Sequence, residues 1–247
     1  NYLVIHTGSR NLGKQVAEFY QQLAIDLNKG KEDYPKQREN IIKEYHENGR
    51  EKEIQAALKA ISWSERTTNT PEDLCHLYGS YFQDYLHDVE VCQKFARKNR
   101  EYIAKVLLNE TGMKGIEGFH TIHNYIDTSE MILRKGAIAA HKGEKILIPI
   151  NMRDGSVLAI GKGNPEWNYS APHGAGRIMS RMTARKNINI DEYRQAMEGI
   201  YTTSVNLETL DEAPMAYKSL EDIIDVIKDS VEIVDIMKPI YNFKASE

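Results

Sequence analysis

Cysteine is scarce in this chain: Cys75 and Cys92 are the two among 247 residues. Two cysteines build no disulfide scaffold, so the fold must rest on a hydrophobic core. If both lie on one helix, their 17-position separation sets them roughly 25 Å apart, too far to pair. No run of 18 apolar residues occurs, so no membrane-spanning helix is expected. With no signal peptide visible either, the expected location is the cytoplasm. A positive balance is also missing. Lys+Arg number 32 against 36 Asp+Glu, a net charge of −4, with a pI of about 6.1. That excludes a diffuse electrostatic surface for nucleic acid, so any polyanion must meet a local patch. Repeats and low-complexity linkers are absent as well. What remains, 41% hydrophobic and 28% charged, suits one large domain or two small ones with a full core.

Along the chain, residues 2 to 6 of NYLVIHTG read as a buried strand closed by TGSRNLG. The opening is abrupt, and a missing upstream part is expected. Gln15 to Leu27 carries a helical stripe (Val16, Phe19, Tyr20, Leu23, Leu27), and 29–66 reads as a charged helical arm or solvated loop in which Ile54, Leu58 and Ile61 resume a helical face. Thr70-Pro71-Glu72-Asp73 has a capping hydroxyl, a first-turn proline and two acids, which predicts a helix start. The apolar series from there runs to about 108, as one long helix or two, and NETGMKG ends it. Short β-branched segments between glycines then predict sheet to about 163. Helices are expected after His173, over 191–198 and in SLEDIIDVIKD, with VEIVDIMKPIYNF as a closing strand. The fold class expected is α+β, helices on a mixed or antiparallel sheet, in a single domain over 1–247.

The stretch SAPHGAGRIMSRMTARK (170–186) concentrates the chemistry. His173 precedes a Gly-Ala-Gly turn, and Arg177, Arg181 and Arg185 follow at i, i+4, i+8. On a helix those guanidinium groups share one face, and a glycine-rich helix entry directs free N–H groups at an anion. This pattern suits phosphate. Of the other histidines, His46, His76 and His87 read as surface or structural, with His76 and His87 on the long helix, and His141 reads as exposed beside a turn. His120 and His123 are three apart, so on the favoured strand they point to opposite sides. His6 ends a strand at a glycine turn, which suits a metal or phosphate contact although a satisfied core histidine is the favoured reading from the residues alone, and His123-Asn124 pairs an imidazole with an orienting amide. Neutral imidazole attacks phosphorus well once cations neutralise the oxygens, and several histidines suit manganese or zinc. From the residues alone, the chemistry is metal-dependent phosphoryl or nucleotidyl transfer, with RNA as a candidate substrate.

Six segments in order, HTGSRNLG, HNYID, RKGAIAAHKGE, SAPHGAGRIMSR, DEAPMAYKSLEDII and KPIYNFKA, resemble the RtcB family of RNA-splicing ligases over nearly the whole chain. The resemblance implies an RtcB-like catalytic domain joining an RNA 3′-phosphate or 2′,3′-cyclic phosphate to a 5′-hydroxyl, with GTP and two Mn2+ ions per site. It implies that His173 takes GMP through a P–N bond, that Gly174, Ala175 and Gly176 cradle the guanylate, and that Arg134, Arg177, Arg181 and Arg185 hold phosphates. It makes His6 and His123 manganese ligands. Asn124, Pro149, Ile150, Asn151, Met152 and Ser156 become nucleotide contacts, and Lys244 the lysine that reads guanine. A cytoplasmic monomer without a membrane partner is implied too.

The departures matter. Pro149-Ile150-Asn151-Met152 stands where the family usually has Pro-Gly-Ser-Met, and Arg153 replaces a glycine, so Arg153 is a substitute phosphate contact and the chain reads as a divergent bacterial member, for RNA repair as much as tRNA splicing. An upstream segment with Asp, Cys and Asn-His metal ligands is not among these residues, so 1–247 alone is expected to bind manganese weakly. Two other readings remain open: a non-catalytic RNA-binding relative, and a metal-dependent phosphatase or phosphodiesterase, for which Lys244 would have no use.

Overall fold

The computed structural model describes residues 1–29, 34–60, 70–115 and 117–244. The chain divides into two compact units, Leu3–Met113 and Asn1–Tyr2 with Lys114–Glu247.

Leu3–Met113 is helical. The stripe expected over 15–27 becomes α1 (Arg10–Asn28). Its Tyr20, Leu23 and Leu27 are buried against Leu77, Tyr81 and Tyr85, as an amphipathic helix requires. The charged stretch forms α2 (Tyr34–Glu47) and α3 (Ile54–Lys59); the rest of the arm expected over 29–66 falls partly at 30–33 and 61–66, outside the described residues. The long apolar series is one helix, α4 (Gly79–Thr111), stopped by Gly112 in the left-handed conformation at φ 69°.

Three expectations are corrected in this unit. Residues 2–6 form no strand: Tyr2, Leu3 and Val4 are exposed, and among the described residues no strand pairs with them. A strand without a neighbour leaves its ladder groups to water. The proline-led cap at 70–73 begins only a 3-10 turn, Glu72–Leu74, after which Cys75 is extended and α4 starts at Gly79. One turn satisfies a cap as well as ten do, so the signal carried no length. Cys75 therefore precedes the long helix, as does His76, while Cys92 is buried within it.

The Lys114–Glu247 unit carries the sheets, as the β-branched segments predicted. β1 (His123–Asp127), β2 (Ile132–Ala139) and β5 (Ser170–Pro172) form one antiparallel sheet in the order β1-β2-β5. β3 (Lys145–Asn151), β4 (Gly155–Gly161) and β7 (Val231–Met237) form a second, also antiparallel. A parallel pair, β6 (Tyr201–Thr202) with β8 (Tyr241–Asn242), completes the set. Alternate residues point inward: Ile146, Ile148 and Ile150 of β3 and Val157 and Ala159 of β4 join Ile138, Ala171 and Ile223 and Ile227 of α7 (Leu220–Ile227) in one core. A second core gathers α5 (Arg181–Asn187), α6 (Ile190–Ala196) and the 3-10 segments over 207–216. The closing strand expected over 231–243 is two strands in different sheets, parted around Pro239, which has no N–H to donate. Gly155 makes the β3–β4 turn possible. Its φ is +84°, and a Cβ there would lie 1.9 Å from the Met237 carbonyl oxygen. Helices with antiparallel sheets make the chain α+β.

Candidate active site

His173 follows directly from β5. That strand pairs with β2 through Ala137 and Pro172, and the next hydrogen bond runs from His173 N–H to the Gly136 carbonyl at 3.2 Å. The Gly-Ala-Gly turn then docks on β3: Ala175 N–H donates to the Pro149 carbonyl at 3.2 Å, and its methyl is buried. A Cβ on Gly174 would stand 3.0 Å from that same oxygen, and Gly176 has φ +73°. Glycine is needed here because the backbone passes so close. The turn is not a helix N-terminus, however: α5 begins five residues beyond Gly176, capped by Ser180, whose hydroxyl accepts from Thr183 N–H.

His123 opens β1 opposite Ile138. Its ring stacks on that of His173, centroids 4.8 Å apart and planes 25° apart. The register shifts between His123 and Tyr125, where Asn124 takes a left-handed φ of 52°. Its side-chain oxygen accepts from Gly136 N–H at 2.7 Å. Gly136, at φ +69°, lies where a Cβ would be 3.7 Å from His173 Nδ1. Thus His123, Asn124 and His173 are brought together, and Asn124 holds the β2 backbone against the His173 ring.

The 149–152 stretch divides its work. Pro149 supplies the carbonyl under the glycine turn, opposite Ser156 on β4. Ile150 is core and Met152 lies under the Tyr193 hydroxyl, which donates to its sulfur at 3.2 Å. Asn151 folds the turn: its oxygen accepts from the N–H groups of Arg153 and Asp154, and its amide donates to Asp154 at 2.8 Å. Arg153 forks onto the Asp154 carboxylate at 2.7 and 3.0 Å. The Arg153 guanidinium holds the Asp154 carboxyl below its usual range against the opposing effect of burial, with Asn151 assisting. The polar groups that replace the usual Gly-Ser and Gly are therefore spent on the turn.

The three arginines do not share one helix face. Arg177 lies before α5 in an extended bridge to Tyr217, and only Arg181 and Arg185 are helical. They converge nonetheless, on Asp211 and Glu212. Arg185 Nε donates to Asp211 at 3.0 Å; Arg181 reaches Asp211 at 3.8 Å and Glu212 at 3.9 Å; Arg177 stands 4.0 Å from Glu212 and donates to the Tyr217 hydroxyl at 2.9 Å. Lys244 arrives from β8 and donates to Glu212 Oε2 at 2.6 Å, beside the Tyr217 hydroxyl at 2.7 Å. Burial alone would raise the Glu212 carboxyl; Lys244, Tyr217 and Arg177 together hold it below its ordinary value. Four expected phosphate and guanine contacts thus meet at one carboxylate pair. The pair is visible in DEAPMAYK, but nothing in the spacing ties it to residues 26 to 34 positions upstream.

Arg134 is an internal strut. Its side chain is 1% exposed, and its nitrogens donate to Ser170, the Tyr125 hydroxyl, Asp127 and Glu130 at 3.0 to 3.3 Å. Expected as a phosphate contact, Arg134 is buried here with all three of its nitrogens directed at these partners. Asp127, Glu130 and His141 form a group whose ligand atoms lie within 4.8 Å of one another, the one such trio among the described residues. It is compatible with a cation by distance. The Arg134 guanidinium bonds both carboxylates and offsets one of their two negative charges. His141 is half-buried, stacked on Tyr169 and 3.4 Å from Glu130, a structural role that its chain position did not disclose. His6 stands in the irregular stretch before α1 in the Leu3–Met113 unit. For manganese, His123 offers an imidazole donor beside His173, a ligand type that suits such an ion.

The RtcB family's sequence profile, described as "tRNA-splicing ligase RtcB", matches residues 2–245. Among curated proteins, the chain is 26% identical to "RNA-splicing ligase RtcB" of Escherichia coli K12 over 258 residues, covering 97% of this chain and 55% of that protein. It is 29% identical to "tRNA-splicing ligase RtcB" of Aeropyrum pernix, covering 91% and 47%, and 26% identical to that of Thermococcus kodakarensis, covering 96% and 51%. The chain spans about half the length of the curated relatives it matches. No described helix is long and apolar enough to cross a membrane.

Proposed function

The chain belongs to the RtcB family, and from that premise we propose that it seals RNA, joining a 3′-phosphate or 2′,3′-cyclic phosphate end to a 5′-hydroxyl end at the expense of GTP. The observation that carries this reading is the His173 ring, stacked on His123 and followed by a glycine turn docked on β3. An imidazole nitrogen of His173 attacks the α-phosphorus of GTP; a P–N bond forms, and pyrophosphate leaves with the bonding pair. A 3′-phosphate is a poor electrophile, so transfer of the guanylate from His173 onto it installs GMP as a leaving group. The 5′-hydroxyl then attacks that phosphorus, losing its proton, and GMP departs as the phosphodiester closes. A cyclic phosphate must first take up water to give the 3′-phosphate.

His123 is the ligand proposed for manganese in this unit, and His6 is proposed separately as a manganese ligand of the Leu3–Met113 unit. Bound there, the metal would neutralise phosphate oxygens and lower the barrier to attack. Gly174, Ala175 and Gly176 let the guanylate approach the backbone, with Pro149, Ile150, Asn151, Met152 and Ser156 behind them. Arg177, Arg181 and Arg185 bind phosphates in this reading, and Lys244 reads guanine O6; Asp211 and Glu212 hold all four cations in place until phosphate or base shares them. We assign the site to the cytoplasm and to a monomer.

The test is incubation of the full-length protein with α-labelled GTP and manganese, followed by a denaturing gel. Label retained on the protein and lost in His173→Ala is expected. A His173→Ala protein that keeps its label would overturn the assignment.

A further inference from the structure

Helix α4 of the Leu3–Met113 unit carries a charge at odds with the chain as a whole. From Lys94 to Lys105 it has Lys94, Arg97, Lys98, Arg100 and Lys105 against Glu101, a net +4 within 12 residues of a chain whose total is −4. One of these cations is turned inward: Arg100 Nη1 donates to the Thr7 carbonyl at 3.0 Å. The other four are exposed. Lys94 reaches Glu90 at 3.5 Å, and Lys98 and Arg97 share Glu101 at 2.9 and 3.0 Å. Exposed pairs within one helix contribute little, so a phosphate can replace these carboxylates at small cost.

Beside the lysines runs an exposed apolar row: Val91, Phe95, Tyr102 and Val106, with Phe95 46% and Tyr102 67% exposed. They recur at i, i+4, i+11 and i+15, which on a helix confines them to an arc of about 60° over a length of about 22 Å. Lys94, Lys98 and Lys105 recur at i, i+4 and i+11, a parallel row along one edge of that arc. The packing face lies elsewhere, since Cys92 and Ala96, the buried residues of α4, sit roughly 90° around the helix. A single apolar residue at a surface is ordinary, whereas a continuous row marks an interaction site.

Resting on the ligase reading for the identity of the polymer, we propose that this face of α4 docks single-stranded RNA, a contact that takes no part in bond-making. The lysine row neutralises phosphates, and the rings of Phe95 and Tyr102 stack on bases. Charge selects the occupant: a polyanion complements a +4 segment in an acidic chain. Rings interleaved with cations then favour RNA, because every base offers a π-face. Stacking and phosphate contacts carry no base readout, so the face is indifferent to sequence. A basic amphipathic helix also suits an anionic membrane, but that binding draws on a broad apolar face, and the exposed row here holds two valines and two rings.

The experiment uses the full-length protein and a short fluorescein-labelled oligoribonucleotide ending in a 3′-phosphate, titrated by anisotropy without GTP over a range of salt. Tyr102→Ala should weaken binding roughly 5- to 150-fold, the equivalent of one stacked base, and Tyr102→Phe should restore most of the loss. Lys98→Ala combined with Lys105→Ala should reduce the steepness of log K against log salt by about 1.4, the share of two phosphates on a single strand. These side chains are exposed, so the variants should melt with the wild type. RNA affinity and salt slope unchanged in both sets of variants would overturn the proposal. So would a Tyr102→Ala protein that loses self-association, or binding to vesicles of anionic phospholipid, while its RNA affinity stays intact. Guanylylation by labelled GTP needs no RNA and separates the two readings. Binding that depends on α4 in a protein that takes no label removes the ligase reading and keeps the docking face; label without that dependence does the reverse.

Discussion

Glu212→Gln isolates the charge at the point where Lys244, Tyr217 and the arginines meet. The amide keeps the shape of the side chain and its acceptor oxygen, so what is lost is the anion. In the folded chain that anion receives two short bonds, from Lys244 at 2.6 Å and from Tyr217 at 2.7 Å, and its side chain is 13% exposed. Hydrogen bonds to charged groups contribute about 1.5–3 kcal/mol each. Lys244 is 44% exposed, so solvent screening reduces its share, and we expect about 2 kcal/mol in all. At roughly 2–4 °C per kcal/mol for a chain of this size, the melting temperature should fall by about 4–8 °C at pH 7. The pH dependence is the sharper test. The folded carboxyl lies below its ordinary value, so its contribution is complete above the unfolded pKa of about 4.3 and is lost as pH falls through the lower folded value. Urea unfolding of the wild type and the variant should therefore diverge at pH 7 and converge in acid. A stability gap as large at pH 3 as at pH 7 would refute the charge argument and leave a packing effect in its place.

Other outcomes follow from neighbouring geometry. Arg134→Met should cost about 3–5 kcal/mol in urea unfolding, because it leaves Asp127 facing the interior without its cation; a loss under 1 kcal/mol would mean that the strut is dispensable. Gly155→Ala must move either the β3–β4 turn or the end of β7, since the new Cβ meets the Met237 carbonyl, and a loss of about 3 kcal/mol is expected in the same assay. Asn124→Ala and Asn124→Gly both remove the acceptor for Gly136 N–H, but glycine tolerates the left-handed φ. The alanine variant should be the less stable of the two by about 1 kcal/mol, and equal stabilities would show that the backbone there relaxes freely.

Much of the fold was legible because periodicity reports burial directly. The 15–27 stripe is α1, and the alternating Ile146, Ile148, Ile150 set is the inner face of β3. Signals without a length or a partner misled. The cap at Thr70-Pro71 was satisfied by one 3-10 turn, and 2–6 has strand composition but no neighbouring strand among the described residues. At the candidate site, the closeness of His123 and His173 was implied only by the resemblance, because their contact depends on a β1–β2–β5 register that no local pattern states. The arginines were noticed for their spacing, yet they converge through carboxylates contributed by a different segment, 211–212. The replacement of Gly-Ser by Ile150-Asn151 stood out as a departure within a stretch expected to contact nucleotide. Folded, one residue is core and the other makes the turn.

His123 begins one outer strand of the three-stranded sheet, and His173 leaves the other, with β2 between them joined to both by ladder bonds and Arg134 pinned through Ser170, Tyr125 and Asp127. The two imidazoles are thus mounted on a single cooperative element. On heating, they should not drift apart gradually. Their separation and the release of the β2 amide protons to exchange should occur as one opening event, with one free energy. The temperature at which the proposed histidine chemistry fails is then a property of this sheet's melting, not of the mobility of either ring.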